Sequence, residues 1–463
     1  MTTTAPVQPR RFAPETRSAA RAVTSDRAFF VVAVIVVNAA VTFALWLRHG
    51  DLHAISGPGG VATAVGQLTA LAGTYAVLVQ LLLMARVPWL ERQVGLDRLA
   101  VWHRWNGFAA VWLLSGHAVF TTLGYAQSSN VSVVAETRDL IAHYPDVLMA
   151  IVGFALFVAV GVTSVRAARQ SLRRETWYSI HLYAYLAVAL SFAHQLAVGT
   201  DFSGDRVARI WWVALYVAVF GAILGWRVGW PLLFNARHAL RVREVTPEAP
   251  GVVSIYLTGR RLDELEARSG QFFLWRFLTP DRWWKAHPFS LSAAPTKRGL
   301  RITVKQLGDD TTTLQRIRPG TRVFAEGPYG TFTADLRTRR KVVLIAGGIG
   351  ITPLRALLAT LPAVPGDVTL LYRAVSADDV IFRDEIAQLS ERRGIVLHAL
   401  LGAEIGDDQT DQLGVPAIKK LVPDVESRDV FVCGPPGLVD AVRHRLRLLG
   451  VPPGQIHFER FEF

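Results

Sequence analysis

The sequence contains a single cysteine, Cys433, among its 463 residues. One cysteine excludes a disulfide within the chain, and it also excludes iron–sulfur and zinc sites that need several thiolates. The chain also lacks an EF-hand loop before its apolar half, and it has no internal repeat of the solenoid type. The chemistry of this protein must therefore come from other residue types.

Lysine and arginine are missing from the middle of six long apolar stretches. The composition is 51% hydrophobic, and the excess is concentrated in the first half. Each stretch approaches or exceeds the roughly 20 residues that span a bilayer. The six predicted spans are residues 28–47, 61–85, 101–123, 147–165, 177–198 and 210–226. The first is too long for a signal-peptide core and no small-residue cleavage site follows it, so we expect a retained anchor.

The formal net charge of +13 follows the predicted loops rather than a nucleic-acid surface. Five arginines precede the first span, three lie between spans two and three, and four lie between spans four and five. The loops on the other side hold one or two each. Cytoplasmic loops are enriched in basic residues, so both termini are predicted to be cytoplasmic. We expect an integral protein of a bacterial plasma membrane that binds no nucleic acid.

The second half changes character twice. Residues 238–335 contain short alternating runs divided by glycine and proline, which predicts an antiparallel β-barrel domain. Residues 340–463 alternate buried strands with helices, which predicts a doubly wound α/β domain. The predicted organisation is thus a disordered cytosolic tail over 1–27, a six-helix membrane domain over 28–230 and these two soluble domains.

Four histidines lie inside predicted spans three and five. His103 and His117 are fourteen positions apart, which is about 3.9 helical turns and roughly 21 Å of rise. His181 and His194 are thirteen apart, about 3.6 turns, so the fifth span needs a local adjustment such as a π-bulge to aim both at one partner. Histidine inside a membrane is rare and faces the bundle interior, where it has a partner.

The two histidine-bearing spans run in the same direction because both are odd-numbered. This predicts that His103 pairs with His181 on the inner side and that His117 pairs with His194 on the outer side. With cysteine ligands excluded, two such pairs favour two bis-histidine haems, whose saturated iron suits electron transfer. The alternative is that these are interfacial or hydrogen-bonded core histidines.

Four short motifs follow in the soluble half. They are His287-Pro288-Phe289-Ser290, Gly308-Asp-Asp-Thr311, Gly347-Gly348-Ile-Gly350-Ile-Thr352-Pro353 and Cys433-Gly434-Pro435-Pro436. The third follows a buried strand and opens a helix. Its glycines allow close backbone approach, and the helix N-terminus offers free N–H groups to a pyrophosphate, although a plain strand–helix corner is the alternative.

In this order, the motifs and the histidine pairs resemble the membrane flavocytochromes of the NADPH oxidase and ferric reductase superfamily. The resemblance covers about residues 90–463, and the soluble half is similar to ferredoxin reductases. It implies that the histidine pairs hold two b-type haems. It also implies an FAD site at His287–Ser290, in which Phe289 packs on the isoalloxazine and the Ser290 hydroxyl approaches N5.

The flavin motif departs from that of many soluble relatives, which begin it with an arginine that binds the pyrophosphate. Here His287 takes that position, so phosphate neutralisation must come partly from elsewhere. The candidates are Lys305, the backbone around Gly308 and the Thr311 hydroxyl.

The resemblance also implies the nicotinamide site. Cys433 would position the ring for hydride transfer, and a terminal aromatic, here Phe463, would cover the flavin and move aside. A core residue at the tail is the alternative for Phe463. Arg373 could pair with a 2′-phosphate of NADPH, with Arg383 as a second candidate. The alternative is that Arg373 is a solvated loop residue, which the sequence supports equally well. The choice between NADPH and NADH therefore stays open.

The predicted function is a transmembrane oxidoreductase that passes electrons from cytosolic NAD(P)H through FAD and two b-type haems to an outer acceptor. That small-molecule acceptor is a ferric or cupric chelate, or oxygen giving superoxide. Relatives that reduce oxygen often carry a second histidine where this chain has Thr121, which weakens the oxidase alternative. The second hypothesis is a haem-binding membrane subunit or redox sensor that acts through a partner. The lipid membrane is a predicted partner, and nothing identifies an accessory subunit.

Overall fold

The computed structural model describes residues 17–49, 55, 57–172, 174–199, 205–362, 364–402, 406–409 and 411–461. It divides into two compact units, Met1–Val228 and Gly229–Phe463. The first unit is helical. Its helices are α1 (Arg17–His49), α2 (Gly60–Leu83), α3 (Pro88–Val94), α4 (Leu96–Ser129), α5 (Val133–His143), α6 (Val147–Ser164), α7 (Arg166–Ser171), α8 (Arg174–Val198) and α9 (Arg206–Ala222).

Six helical stretches in the described part are long and apolar enough to cross a membrane, as the sequence predicts. They are Phe29–Arg48, Gly60–Leu83, Arg98–Ser129, Val147–Ser164, Thr176–Val198 and Arg206–His238. Large apolar side chains are exposed on them; Phe29 and Trp112, for example, are more than two thirds exposed. Such a surface suits lipid, since a spanning helix satisfies its own backbone and needs no polar surroundings.

The predicted disordered tail is wrong for residues 17–27, which form the first turns of α1. This stretch is rich in alanine, the best helix former, and it extends a helix that the apolar span already nucleates. Residues 1–16 of the predicted tail lie outside the described residues.

The predicted π-bulge in the fifth span is wrong as well. Helix α8 is α-helical from Arg174 to Val198, and the π-helical stretch is Ile223–Gly229, after α9. The two histidines of α8 therefore meet their partners on α4 without an inserted residue.

The second unit begins with α10 (Trp230–His238) and six short strands. They are β1 (Arg241–Ala249), β2 (Val252–Thr258), β3 (Phe272–Phe277), β4 (His287–Ser290), β5 (Leu300–Lys305) and β6 (Val323–Tyr329), with α11 (Asp309–Leu314) between the last two. Along β3, intermediate and buried residues alternate, which confirms the predicted strand pattern there. The inward residues, such as Phe273 and Trp275, form the core of this domain.

The prediction of a closed barrel is wrong. The strands form two separate antiparallel sheets, in the orders β1-β2-β5 and β4-β3-β6. Between them the described residues make only isolated bridges, such as Arg241 with Arg322 and Leu291 with Ile302. Proline donates no ladder hydrogen bond, and Pro247 and Pro328 stand beside register shifts in β1 and β6. The ladders are interrupted there.

The last domain is a five-stranded parallel sheet in the order β11-β10-β7-β8-β9. Its strands are β7 (Val342–Gly347), β8 (Val368–Ala374), β9 (Val396–Leu401), β10 (Asp429–Gly434) and β11 (Ile456–Arg460). Its helices are α12 (Ile351–Thr360), α13 (Arg383–Arg393), α14 (Val415–Leu421) and α15 (Pro436–Leu448). This is the doubly wound order that the alternating pattern predicts. Its topological switch point, where such folds bind ligands, lies between β7 and β10.

Candidate functional site

The four membrane histidines meet in the predicted combinations. Helix α4 carries His103 and His117, and α8 carries His181 and His194. The ring centroids of His103 and His181 are 6.1 Å apart, and those of His117 and His194 are 6.5 Å apart. The two helices therefore bring facing imidazoles together at two levels.

These separations fit a metal held between two imidazoles. A first-row metal lies about 2 Å from each ligating nitrogen, so with the ring radii added the two centroids stand about 6 Å apart. Aromatic rings in direct contact also stand about 4.5–7 Å apart, so the separation agrees with a shared metal, and the ring nitrogens must supply the further argument. The residues therefore fit the iron of a bis-histidine haem.

The second ring nitrogen supports the same assignment. His103 Nδ1 lies 3.2 Å from the carbonyl of Gln80, and His117 Nδ1 lies 3.0 Å from that of Gly66. A carbonyl can only accept, so each Nδ1 carries the proton and the Nε2 lone pair is left for a metal. His181 Nδ1 lies 3.3 Å from Ser164 Oγ. His194 Nδ1 is buried without a hydrogen-bond partner in the described part of the chain.

Close packing of α2 on α4 makes the bond to His117 possible. A Cβ on Gly66 would lie 2.4 Å from Thr121 Oγ1 and 2.8 Å from the Thr121 backbone nitrogen, so only glycine fits. Small residues of this kind let membrane helices approach each other closely. Thr121 Oγ1 is itself 3.1 Å from His117 Nδ1.

The inner pair has a supporting layer as well. Asn106 donates one hydrogen bond to the Ala76 carbonyl at 2.7 Å and another to Gln80 Oε1 at 2.9 Å. The residue whose carbonyl faces His103 is thus held by a second side chain. Sequence reasoning missed Gly66, Gln80 and Ser164, because a partner that acts through its carbonyl or through a lone hydroxyl leaves no motif.

The flavin motif forms strand β4, which pairs with β3. Trp275 Nε1 donates to the Phe289 carbonyl at 2.9 Å, and the His287 and Phe289 rings stack with centroids 5.8 Å apart. Ser290 is only 4% exposed, and its Oγ has no partner among the described residues. A buried hydroxyl without a partner is costly. This orphaned group fits the predicted contact with flavin N5.

The predicted phosphate-binding residues Thr311 and Lys305 already have polar partners within the chain. Thr311 Oγ1 accepts from the backbone N–H groups of Leu307 and Gly308, at 2.8 and 3.1 Å, so it organises the turn. Lys305 Nζ lies 3.9 Å from Asp379 Oδ1. Lys285, which sequence reasoning missed, donates to Asp310 at 2.6 Å.

The glycine turn and the cysteine motif meet at the switch point. Cys433 lies beside Ala346 in the sheet, and a Cβ on Gly350 would lie 2.3 Å from the Cys433 carbonyl. The turn can therefore approach the end of β10 only because Gly350 has no side chain. Thr352 Oγ1 donates to the Ile349 carbonyl at 3.0 Å, and Pro353 is buried in the first turn of α12.

Cys433 itself is fully buried. Burial, with a smaller contribution from the Glu459 carboxylate, raises the pKa of its thiol well above the usual range. The side chain therefore stays a neutral thiol, which suits a packing and positioning role rather than nucleophilic chemistry.

Arg373 is held in an ion pair. Its side chain is 9% exposed, and its Nη1 donates to both oxygens of Asp411, at 2.9 and 3.2 Å. Arg445 donates to the same carboxylate at 2.8 Å. The contact of Arg373 with a 2′-phosphate stays a prediction, and the observed ion pair favours a structural role. Arg383 is exposed and donates to the Ala377 carbonyl.

The predicted terminal aromatic, Phe463, lies outside the described residues. Two positions earlier, the Phe461 backbone N–H donates to the Gly434 carbonyl at 3.3 Å. The end of the described chain therefore runs beside the cysteine motif.

Comparison with known families places both halves of the chain. Residues 69–192 match the ferric reductase like transmembrane component, residues 249–333 match an FAD-binding domain and residues 344–444 match an oxidoreductase NAD-binding domain. In this order, the three matches have the ferric reductase and NADPH oxidase architecture, in which a membrane domain is followed by flavin- and NAD-binding domains.

Individual relatives match about half of the chain. A flavohemoprotein of Vibrio cholerae serotype O1 is 32% identical over 263 residues, which cover 54% of this chain and 63% of that protein. The ferredoxin reductase component of a 3-ketosteroid-9-alpha-monooxygenase of Mycobacterium tuberculosis is 31% identical over 48% of this chain and 65% of its own length. The chain thus spans less than two thirds of either relative.

Among solved structures, this chain is similar to the flavohem-like FAD/NAD binding domain of nitric oxide dioxygenase from Vibrio cholerae O1. The two are 27% identical, with a TM-score of 0.39, over 48% of this chain and 98% of that domain.

Proposed function

We propose that this protein passes electrons from cytosolic NAD(P)H to a small-molecule acceptor on the opposite side of a bacterial plasma membrane. The observation that carries the proposal is the pair of facing imidazoles at two levels, 6.1 and 6.5 Å apart. When bound, NAD(P)H would supply a hydride, FAD would accept it and release electrons singly, and two b-type haems would carry them between the membrane faces.

In the membrane unit, the chain's own residues hold and orient the ligands. The carbonyls of Gln80 and Gly66 fix the tautomer of His103 and His117, and such outer partners raise the basicity of a metal-bound imidazole. Ser164 is placed to do the same for His181. These contacts favour two ligand pairs with fixed orientation, which an electron carrier needs.

In the reductase unit, the chain supplies binding and alignment. Ser290 offers a hydroxyl that has no hydrogen-bond partner among the described residues, beside the stacked rings of His287 and Phe289. The turn at Gly347–Gly350 offers backbone N–H groups to a pyrophosphate, and the neutral Cys433 packs beneath it. These features support FAD and NAD(P)H as the cofactors of the cytosolic half.

The acceptor is a ferric or cupric chelate, or oxygen. Thr121 supports the chelate, because oxygen-reducing members of the superfamily that this chain resembles often carry a second histidine at this position. In this chain the Thr121 hydroxyl lies 3.1 Å from His117 Nδ1 instead. The distribution of arginine between the loops supports cytoplasmic termini, with the NAD(P)H site in the cytosol.

An anaerobic reduction experiment tests the proposal. The purified full chain, loaded with FAD and haem, is mixed with NADH or NADPH while the flavin and haem absorbance bands are followed. We expect the flavin to be reduced first and the haem to follow. Adding a ferric chelate or oxygen then identifies the acceptor from the faster reoxidation. Flavin and haem that both stay oxidised with either nucleotide would refute the proposal and favour the redox-sensor alternative.

A further inference from the structure

The carboxylate of Glu385, in the nucleotide domain, accepts from Arg301 of the flavin domain and from Arg355 of its own domain. Arg301 on β5 donates from Nη1 to Glu385 Oε2 at 3.0 Å, and Arg355 on α12 donates to Oε1 of the same residue. The two arginine side chains are only 7% and 12% exposed, whereas the Glu385 side chain is 33% exposed. Removing the two guanidinium groups from water is costly, so each needs the partner that Glu385 provides.

On the flavin side, the network reaches the flavin motif. Arg301 Nη2 donates to the Ser292 carbonyl at 2.8 Å and its Nε donates to Ser292 Oγ at 3.2 Å. Thr303 holds the same hydroxyl at 2.7 Å. Ser292 stands two residues after Ser290, so the guanidinium is fixed to the backbone that carries the flavin-facing hydroxyl.

On the nucleotide side, the network reaches the helix that the glycine turn opens. Arg355 lies in the second turn of α12, and the glycine turn Gly348–Gly350 leads directly into the first turn of this helix. The contact with Arg355 therefore connects Glu385 to the helix that follows the predicted pyrophosphate-binding turn.

The start of α13 is fixed by the same arginine. Phe382 adopts a left-handed backbone, with a φ of 60°, which an aromatic residue rarely does. Its ring lies under the Arg301 guanidinium, with 4.6 Å between Cζ and the ring centroid. Strained backbone persists where surrounding contacts determine it, and it is frequent where position matters for function.

Apolar packing would join two domains at a lower desolvation cost than two arginines that share one carboxylate. The charged network adds a defined geometry. Hydrogen bonds to both oxygens of Glu385 fix the distance and the angle between the groups that they join. We propose that Arg301, Glu385 and Arg355 are positioning residues, which set the nicotinamide-bearing domain against the flavin for hydride transfer. The proposal rests on the function proposed above.

A triple apolar variant of the full chain, R301M/E385L/R355M, tests whether the network aligns the two domains for hydride transfer or only holds them together. We expect it to fold and to bind FAD, since the two arginines are nearly buried and apolar residues can replace such charges, together with their partner, without loss of stability. The limiting rate of flavin reduction by NADH or NADPH should nevertheless fall about 10- to 100-fold, because small misplacements of reactants cost that much. The charge-transfer absorbance between nicotinamide and flavin should weaken with it.

The single variant Glu385→Gln should show a smaller loss of the same kind. Glu391→Gln is the matched control, since Glu391 is exposed on the same helix. Dithionite reduces flavin without nicotinamide alignment, so it should reduce the flavin of every variant at the wild-type rate.

If the triple variant binds FAD and keeps the wild-type limiting rate and charge-transfer band, the positioning proposal is wrong. If the triple variant does not fold, Glu385→Gln decides in the same way. If the wild type itself is not reduced by either nucleotide, the proposed function fails instead.

Discussion

Substituting Gly66 by alanine should disturb the outer histidine pair without touching a ligand. The new Cβ would lie 2.8 Å from the Thr121 backbone nitrogen. This distance is about half an ångström shorter than an ordinary van der Waals contact, and the backbone nitrogen cannot rotate away as a side chain could. Helices α2 and α4 must therefore separate locally. The 3.0 Å bond from His117 Nδ1 to the Gly66 carbonyl should then exceed about 3.5 Å, where it ceases to be a hydrogen bond.

Losing an outer partner of a metal-bound histidine typically costs 10- to 100-fold in metal affinity, or about 1.4–2.7 kcal/mol. The haem-to-protein ratio of the purified Gly66→Ala variant should therefore fall from two towards one. Haem that remains on His117 should have a higher midpoint potential, because an imidazole without that acceptor is less basic.

Gly116→Ala is the matched control. Gly116 precedes His117 on the same helix, and a Cβ there would meet its nearest neighbour at 3.6 Å, an ordinary contact. Its haem content should equal that of the wild type. If Gly66→Ala keeps both haems with an unchanged potential, or if Gly116→Ala loses haem equally, the reasoning from helix packing is refuted.

Three further predictions concern single sites. His117→Ala should leave flavin reduction by NAD(P)H intact and remove only the outer haem signal; loss of flavin reduction in a folded, FAD-loaded variant would contradict this. Arg373→Ala should leave the ratio of kcat/KM for NADPH and NADH unchanged. It should lower the free energy of unfolding by about 2 kcal/mol, because Asp411 keeps Arg445 as a partner; a shift in nucleotide preference would restore the 2′-phosphate role. Because burial raises the pKa of Cys433, little reactive thiolate forms as the pH rises to about 9, and iodoacetamide should modify the thiol only after unfolding. Alkylation of the native chain at the rate of a free thiol, followed by mass spectrometry, would show that prediction to be wrong.

The membrane half was predictable because its apolar stretches are long enough to be recognised one by one. A span of some twenty apolar residues needs no partner to be recognised, and the histidine spacing on spans three and five implies the pairs that the structure forms. The π-bulge expected in α8 was wrong, because both histidines reach their partners from a helix that is α-helical throughout. Gly66 and Gln80 stayed hidden because they act through backbone carbonyls.

In the soluble half, contacts between residues far apart in the sequence could not be predicted from short motifs. The parallel sheet followed from its alternating pattern, but closure of the flavin domain depends on pairing between distant strands, and among the described residues its two sheets are linked only by isolated bridges. Arg373 stands at a position where a phosphate ligand was reasonable, yet Asp411, 38 positions later, holds it. The shared carboxylate of Glu385 likewise joins residues from three separate elements, and no short motif could have indicated it.

Haem stoichiometry measures the central claim most directly. Pyridine-haemochrome absorbance of the purified full chain, divided by its protein concentration, should give two b-type haems per chain. Replacing His117 and His194 with alanine should give one, and replacing all four histidines should give none. A wild-type ratio of one or less, or two haems kept after all four replacements, would contradict the account.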